Sequence, residues 1–103
     1  MANMVWVNIE DNHFKIWGFD IFQDNTTGEC ELITYWGRIG TPMQKLAKNK
    51  KPFRNYPDAY DYIMDKIKEK NAKGYKQMPN HEYFEYTYQD KPLSQLIEQI
   101  EAI

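Results

Sequence analysis

The chain has 103 residues, enough for one hydrophobic core and too few for two. Hydrophobic residues make up 42% of it and aromatics 16%, which excludes a disordered polymer. No apolar run approaches the ~20 residues a membrane-spanning helix needs, so no membrane partner is expected.

The net charge of −2 is unevenly spread. Residues Arg38 to Lys76 hold 11 basic and 4 acidic side chains, a local charge of +7, and the remainder carries −9. Such segregation builds a positive face on an acidic body, or it solvates a loop and a helix. Cys30 is the single cysteine, so no intramolecular disulfide and no cysteine-based zinc site can form. That fits a reducing compartment, and the first ten residues lack a basic stretch followed by an apolar one; a cytoplasmic location is expected.

Residues 1–11 are expected to form an N-terminal extension or an edge strand. The dense aromatic and β-branched run Asn12 to Phe22 predicts a first strand. Its apolar positions change phase at Trp17-Gly18, which suggests a β-bulge. The polar stretch Gln23 to Gly28 predicts a hairpin turn into a second strand, Cys30 to Ile39. There Cys30, Leu32, Thr34 and Trp36 share one face, and Glu31, Ile33 and Tyr35 the other. Gln44 to Ala47 reads as a third, shorter strand, followed by a basic loop, Lys48 to Arg54.

One helix is clear. Asn55 caps it, Pro57 lies in the first turn, and Ala59, Tyr60, Ile63, Met64 and Ile67 form its inward stripe. Gly74 sits where a left-handed C-cap belongs. The alternating aromatics of Glu82 to Tyr88 predict a further strand. After Pro92, the residues Leu93, Leu96, Ile97 and Ile100 follow helical spacing and predict a short C-terminal amphipathic helix over 91–103. The expected fold class is α+β: an antiparallel sheet of about four strands with one main helix packed on it, plus that short helix. The principal domain is expected over 12–90.

The segment Tyr35-Trp36-Gly37-Arg38-Ile39-Gly40-Thr41 resembles the signature of the WGR domain family, named for its tripeptide. Supporting matches extend from Phe14-Lys15-Ile16, through Gln44 and Phe53, to Ala59, Ile63, Ile67 and Lys70 on the helix and Gly74-Tyr75 at its end. Two positions depart from the pattern: Pro42-Met43 replaces a turn that often carries glycine, and Lys70-Asn71 replaces a lysine-threonine pair. WGR domains occur in poly(ADP-ribose) polymerases, where they help detect DNA breaks and relay detection to the catalytic domain. They also occur in bacterial proteins with less certain roles. The resemblance implies a small antiparallel sheet with a helix on it, and a nucleic-acid-binding module without polymerase chemistry.

It also directs attention to Trp36 and Arg38. An indole face stacks on a base or sugar, and a guanidinium forks onto a phosphate through two charge-assisted hydrogen bonds. The plainer alternative buries Trp36 and pairs Arg38 with an acid. Gly37 is expected to leave backbone open between them. Lys45, Lys48, Lys50, Lys51 and Arg54 form the best phosphate patch by sequence, which Lys66, Lys70 and Lys73 could extend. Tyr62 is expected to point to solvent beside the lysines, and Tyr60 into the core.

An enzyme is not expected. His13 and His81 lie far apart, Cys30 has no basic neighbour in sequence, and no glycine-rich phosphate loop exists. No metal and no cofactor are expected. The favoured partner is nucleic acid, most readily DNA at ends, nicks or 5′-phosphates, bound without base specificity. The competing reading is a protein-interaction or self-association module acting through Leu93, Leu96, Ile97 and Ile100, residues that could equally fold back on their own domain.

Overall fold

In the computed structural model residues 4–103 are described; the first three residues of the expected N-terminal extension lie outside them. The fold is α+β, with five antiparallel strands rather than about four. The strands are β1 (Met4–Asn8), β2 (Lys15–Gln23), β3 (Cys30–Arg38), β4 (Ala47–Phe53) and β5 (Lys76–Pro79). Their order is β4-β3-β2-β1-β5, so β1 is an internal strand and not an edge. The helices are α1 (Tyr56–Ala72), α2 (Asn80–Tyr88) and α3 (Leu93–Glu101).

The sheet divides the hydrophobic core of the domain into two clusters, one on each face. On one, Trp6, Trp17, Phe19 and Leu32 pack beneath Ile63 of α1. On the other, Val5, Val7, Ile16, Tyr35 and Met78 meet Tyr83 and Phe84 of α2 and Leu96 and Ile100 of α3. This two-sided burial explains the phase change at Trp17-Gly18. The β2–β3 register runs unbroken from Lys15 opposite Arg38 to Gln23 opposite Cys30, so there is no bulge. The strand is apolar on both faces because helices cover both. Gly18 is required for another reason: a Cβ there would stand 2.5 Å from the Tyr35 ring that lies across it.

Local chemistry fixes the connections. Asp24 Oδ1 accepts the Thr26 N–H at 2.8 Å and Gly28 adopts φ +78°, closing the expected hairpin. Asn55 Oδ1 accepts the Asp58 N–H at 2.9 Å and caps α1. Gly74, at φ +93°, ends that helix, and the Tyr75 N–H reaches back to the Lys70 carbonyl at 3.1 Å.

Three further expectations fail. Gln44 lies in a 3-10 turn (Met43–Lys45), and the strand begins after it. The supposed basic loop Lys48 to Arg54 is mostly β4, drawn into extension by the open edge of β3. Its lysines and Pro52 suit an edge, since they discourage pairing with another chain. Glu82 to Tyr88 is helix, not strand. Adjacent residues of a strand point to opposite faces, so only a helix lets Tyr83 and Phe84 enter the same core. Tyr83 Oη also accepts the Gly40 N–H at 3.0 Å, tying α2 to the turn after β3.

Candidate nucleic-acid interface

The end of the sheet where β2 begins and β3 finishes carries the motif. Trp36 and Arg38, two residues apart on β3, project on the α1 side of the sheet. Trp36 is 43% exposed, whereas Trp6 and Trp17 are at most 5% exposed in the core. It is therefore not a core residue. Arg38 is also exposed, its guanidinium carbon 5.8 Å from the centre of the Phe14 ring. Phe14 holds φ +46°, a left-handed conformation that costs a bulky residue on the order of 1–2 kcal/mol. Its carbonyl accepts the Ile39 N–H at 2.8 Å, which locks that backbone in place and keeps the ring beneath the guanidinium.

Gly37 borders the cleft between Trp36 and Arg38 and also serves packing. A Cβ there would come within 2.7 Å of Leu46 Cδ2 in the core on the far side, so the residue makes room for Leu46.

A cleft of about 320 Å³ is lined by His13, Phe14, Lys15 and Ile16 of the β2 end, Trp36, Gly37 and Arg38 of β3, and Lys70 and Tyr75. No carboxylate lines it. Lys15 pairs directly with Arg38 across the sheet, so two cations face each other at its rim. Neither forms an ion pair among the described residues, where the salt bridges are Lys66–Glu69 and Lys91–Glu85. Lys70 reaches the cleft from α1 with its Nζ 5.2 Å from the Tyr75 ring centre and 5.7 Å from that of Trp17. Burial depresses the pKa of its ammonium below the ordinary lysine range. Lys73, Lys66 and Lys15 push in the same direction, and Glu69 opposes them.

Two further clefts adjoin the first. One of about 420 Å³ is bordered by Trp17, Trp36, Tyr62, Lys66, Glu69 and Lys70, with Thr34, Lys48 and Asn49 along β4 and β3. The other, of about 330 Å³, is lined by Asn8, His13, Lys15, Lys70, Lys73 and Tyr75. Asn8 is buried and its amide donates to the Lys73 carbonyl at 3.2 Å, fixing the end of α1 against β1.

The predicted lysine patch does not form one surface, because a strand sends successive side chains to opposite faces. Lys48 Nζ donates to the Met43 and Leu46 carbonyls at 2.7 and 3.3 Å, bracing the turn before β4. Lys51 lies over Phe53 and Tyr62 beside α1, 5.8 and 5.4 Å from their ring centres. Lys50 projects to the other face of the sheet. Lys45 borders a groove against α2 and α3, and Arg54 lies past the far end of β4 near Cys30. Trp36, Arg38 and part of the Lys48 border come together; Lys45, Lys50 and Arg54 do not.

The two tyrosine expectations reverse. Tyr62 is half-buried, 5.4 Å from the Phe53 ring, and Tyr60 is 47% exposed beside Tyr56. The inward stripe of α1 runs Ala59, Tyr62, Ile63, Lys66, Ile67 and Lys70, which carries two lysines to the margin of the sheet. Lys15 and Lys73 were not singled out as principal site residues from sequence. The register of Lys15 with Arg38 was the signal available, since a short hairpin turn fixes it.

At α3, Leu96 and Ile100 are buried in the domain's own core, leaving Leu93 exposed and Ile97 half-buried. No helix among the described residues is long and apolar enough to cross a membrane.

A small α+β domain with an exposed indole and guanidinium in a cationic, acid-free cleft has the character of an anion-binding module. The chain belongs to the WGR domain family: the family model matches residues 2–82, from the start of the sheet into α2. That family is one of nucleic-acid-binding modules and not of catalytic domains. No curated protein and no solved structure matches the chain.

Proposed function

We propose that this domain is a non-catalytic module that binds nucleic acid, most readily DNA ends or nicks, through phosphate contacts and aromatic stacking without base specificity. The observation that carries the reading is the cross-strand pair Lys15–Arg38 beside an exposed Trp36. Like charges placed directly opposite in a sheet repel. An anion between them removes that repulsion, and Lys70 and Lys73 add charge on the same side. Trp36 then supplies a stacking face worth ~1–3 kcal/mol per base.

The cluster is local, so the net acidity of the chain does not oppose binding at short range: fields are screened beyond about 10 Å at 0.1 M salt. The competing self-association reading is left with Leu93 and part of Ile97, since Leu96 and Ile100 are spent in the core. Fluorescence anisotropy with blunt, nicked and 5′-phosphorylated duplexes at ~50 mM salt tests the proposal. Binding is expected to weaken roughly tenfold or more in Arg38→Ala, in line with loss of a charge-assisted contact. Absence of binding, or indifference to Arg38→Ala, overturns it.

A further inference from the structure

Trp36 and Lys70 line both the cleft of about 320 Å³ and the adjoining one of about 420 Å³. Both cavities therefore share one indole residue and one lysine. Both volumes fall in the range of small-ligand sites, about 300–1,000 Å³. Each cavity has its own aromatic wall besides Trp36: Phe14 and Tyr75 in the first, Trp17 and Tyr62 in the second. Each also has its own cation: Arg38 and Lys15 in the first, Lys66 in the second. Glu69 lies on the second and is held 3.7 Å from Lys66, so that side is the less positive of the two. Thr34 and Asn49 offer the second cavity a hydroxyl and an amide for hydrogen bonding, where the first has the Tyr75 hydroxyl and His13.

We infer that the site takes an unpaired dinucleotide step of a nucleic-acid strand, with one nucleotide on each side of the Trp36 indole and the phosphate between them on Lys70. This rests on the nucleic-acid reading above and adds the substrate class: a single-stranded tail or gap, in preference to a flush duplex end. The reason is steric and chemical. The terminal pair of a flush end offers one free face and an interior pair none, so a flush end can occupy only one side of the indole. An unpaired step exposes two π-faces, and aromatic residues alternating with cations along a groove are how single strands are held without base readout.

The test uses the whole chain and duplexes of one core sequence, either blunt or with tails of one, two or four thymidines, titrated by anisotropy. A two-nucleotide tail is expected to bind at least fivefold more tightly than the blunt duplex, a single nucleotide to give less, and four to add little. Trp36→Ala is expected to erase the advantage of the tail, and Trp36→Phe to keep part of it, because a smaller ring still stacks. Trp36 is 43% exposed and Trp17 borders the second cavity, so the quenching of tryptophan emission by the tail that is lost in Trp36→Phe is the part that reports Trp36. Ribose tails of the same length distinguish RNA from DNA as the source of the strand. Equal affinity for blunt and tailed duplexes overturns this inference and leaves the general reading standing. Failure to bind either overturns both.

Discussion

Lys15 and Arg38 stand directly opposite each other across β2 and β3, with no carboxylate on the cleft they share. Folding does not favour such a pair. It places two like charges where an opposite pair would stabilise the sheet. Lys15→Glu should therefore raise stability by a few tenths of a kcal/mol, measured by urea denaturation, while weakening duplex binding. Were the variant less stable and equally good at binding, the pair would have to be structural.

Lys70 carries a pH dependence with a definite sign. Burial and its cationic neighbours lower the pKa of its ammonium from the ordinary 10.5, so it loses its proton earlier than a free lysine on alkaline titration. A phosphate beside it favours the charged form and restores the proton. Binding should therefore be accompanied by proton uptake, and affinity should fall as pH rises through the lowered value. In Lys70→Arg, which stays charged, anisotropy titrations across pH 7.5 to 10 (roughly the span below the ordinary lysine value) should be flat. The same downward trend in the arginine variant would exclude Lys70 as its origin.

The motif glycine is predicted to matter chiefly for stability. Gly37→Ala brings a methyl within 2.7 Å of Leu46 Cδ2, and overpacking of this kind costs about 1–3 kcal/mol. Chemical denaturation should show that loss, with the affinity of the folded fraction unchanged. A large drop in affinity without loss of stability would assign Gly37 to the cleft it borders and not to packing.

Much of this was legible in the sequence, and the gaps have physical causes. The hairpin, the caps of α1 and the amphipathic α3 are set by local chemistry at Asp24, Asn55, Gly74 and Leu96, and were read correctly. The failures at β4 and α2 are places where tertiary packing overrides propensity. Lys48 to Phe53 reads as loop because nothing in AKNKKPF favours extension except the open edge of β3. Tyr83 and Phe84 read as strand because aromatics prefer strands, until both rings are needed in one core. The site suffered from the first error. A basic loop can gather its lysines on one surface, whereas a strand divides them between two. The helix lysines that replace them follow from which side of α1 faces the sheet, and the tyrosine assignment had placed that face one residue off.

Helix α3 gives a contrast between neighbouring positions. Leu96→Ala should cost about 2–5 kcal/mol because Leu96 is buried beside Ile100 in the core. Leu93→Glu should leave the denaturation midpoint nearly unchanged, since that side chain is 46% exposed. Sedimentation of Leu93→Glu should match that of the unsubstituted chain; dissociation of an oligomer would revive the self-association reading.

Two buried phenols set the alkaline limit of the fold. Burial raises the hydroxyl of Tyr83 to about 12, despite the Gly40 N–H that opposes the shift, and pushes Tyr35 up as well. Both ordinarily ionise near 10, so the unfolded chain loses these protons first. Their contribution is fully present below pH 10 and declines as pH rises toward the folded value. Tyr83→Phe should flatten the stability loss between pH 10 and 12, followed by denaturation and by phenolate absorbance. Early, non-cooperative ionisation of Tyr83 at its ordinary value would contradict its burial.

The central claim is that the surface around Trp36 and Arg38 meets the phosphate backbone, and amide chemical-shift mapping tests it most directly. A 5′-phosphorylated duplex titrated into isotopically labelled protein should shift Lys15, Trp36, Arg38, Lys70 and Lys73, and leave Lys45, Lys50 and Arg54 near their free positions. Perturbations gathered instead on the outer face of β4, or along α2 and α3, would place the interface elsewhere and refute the assignment.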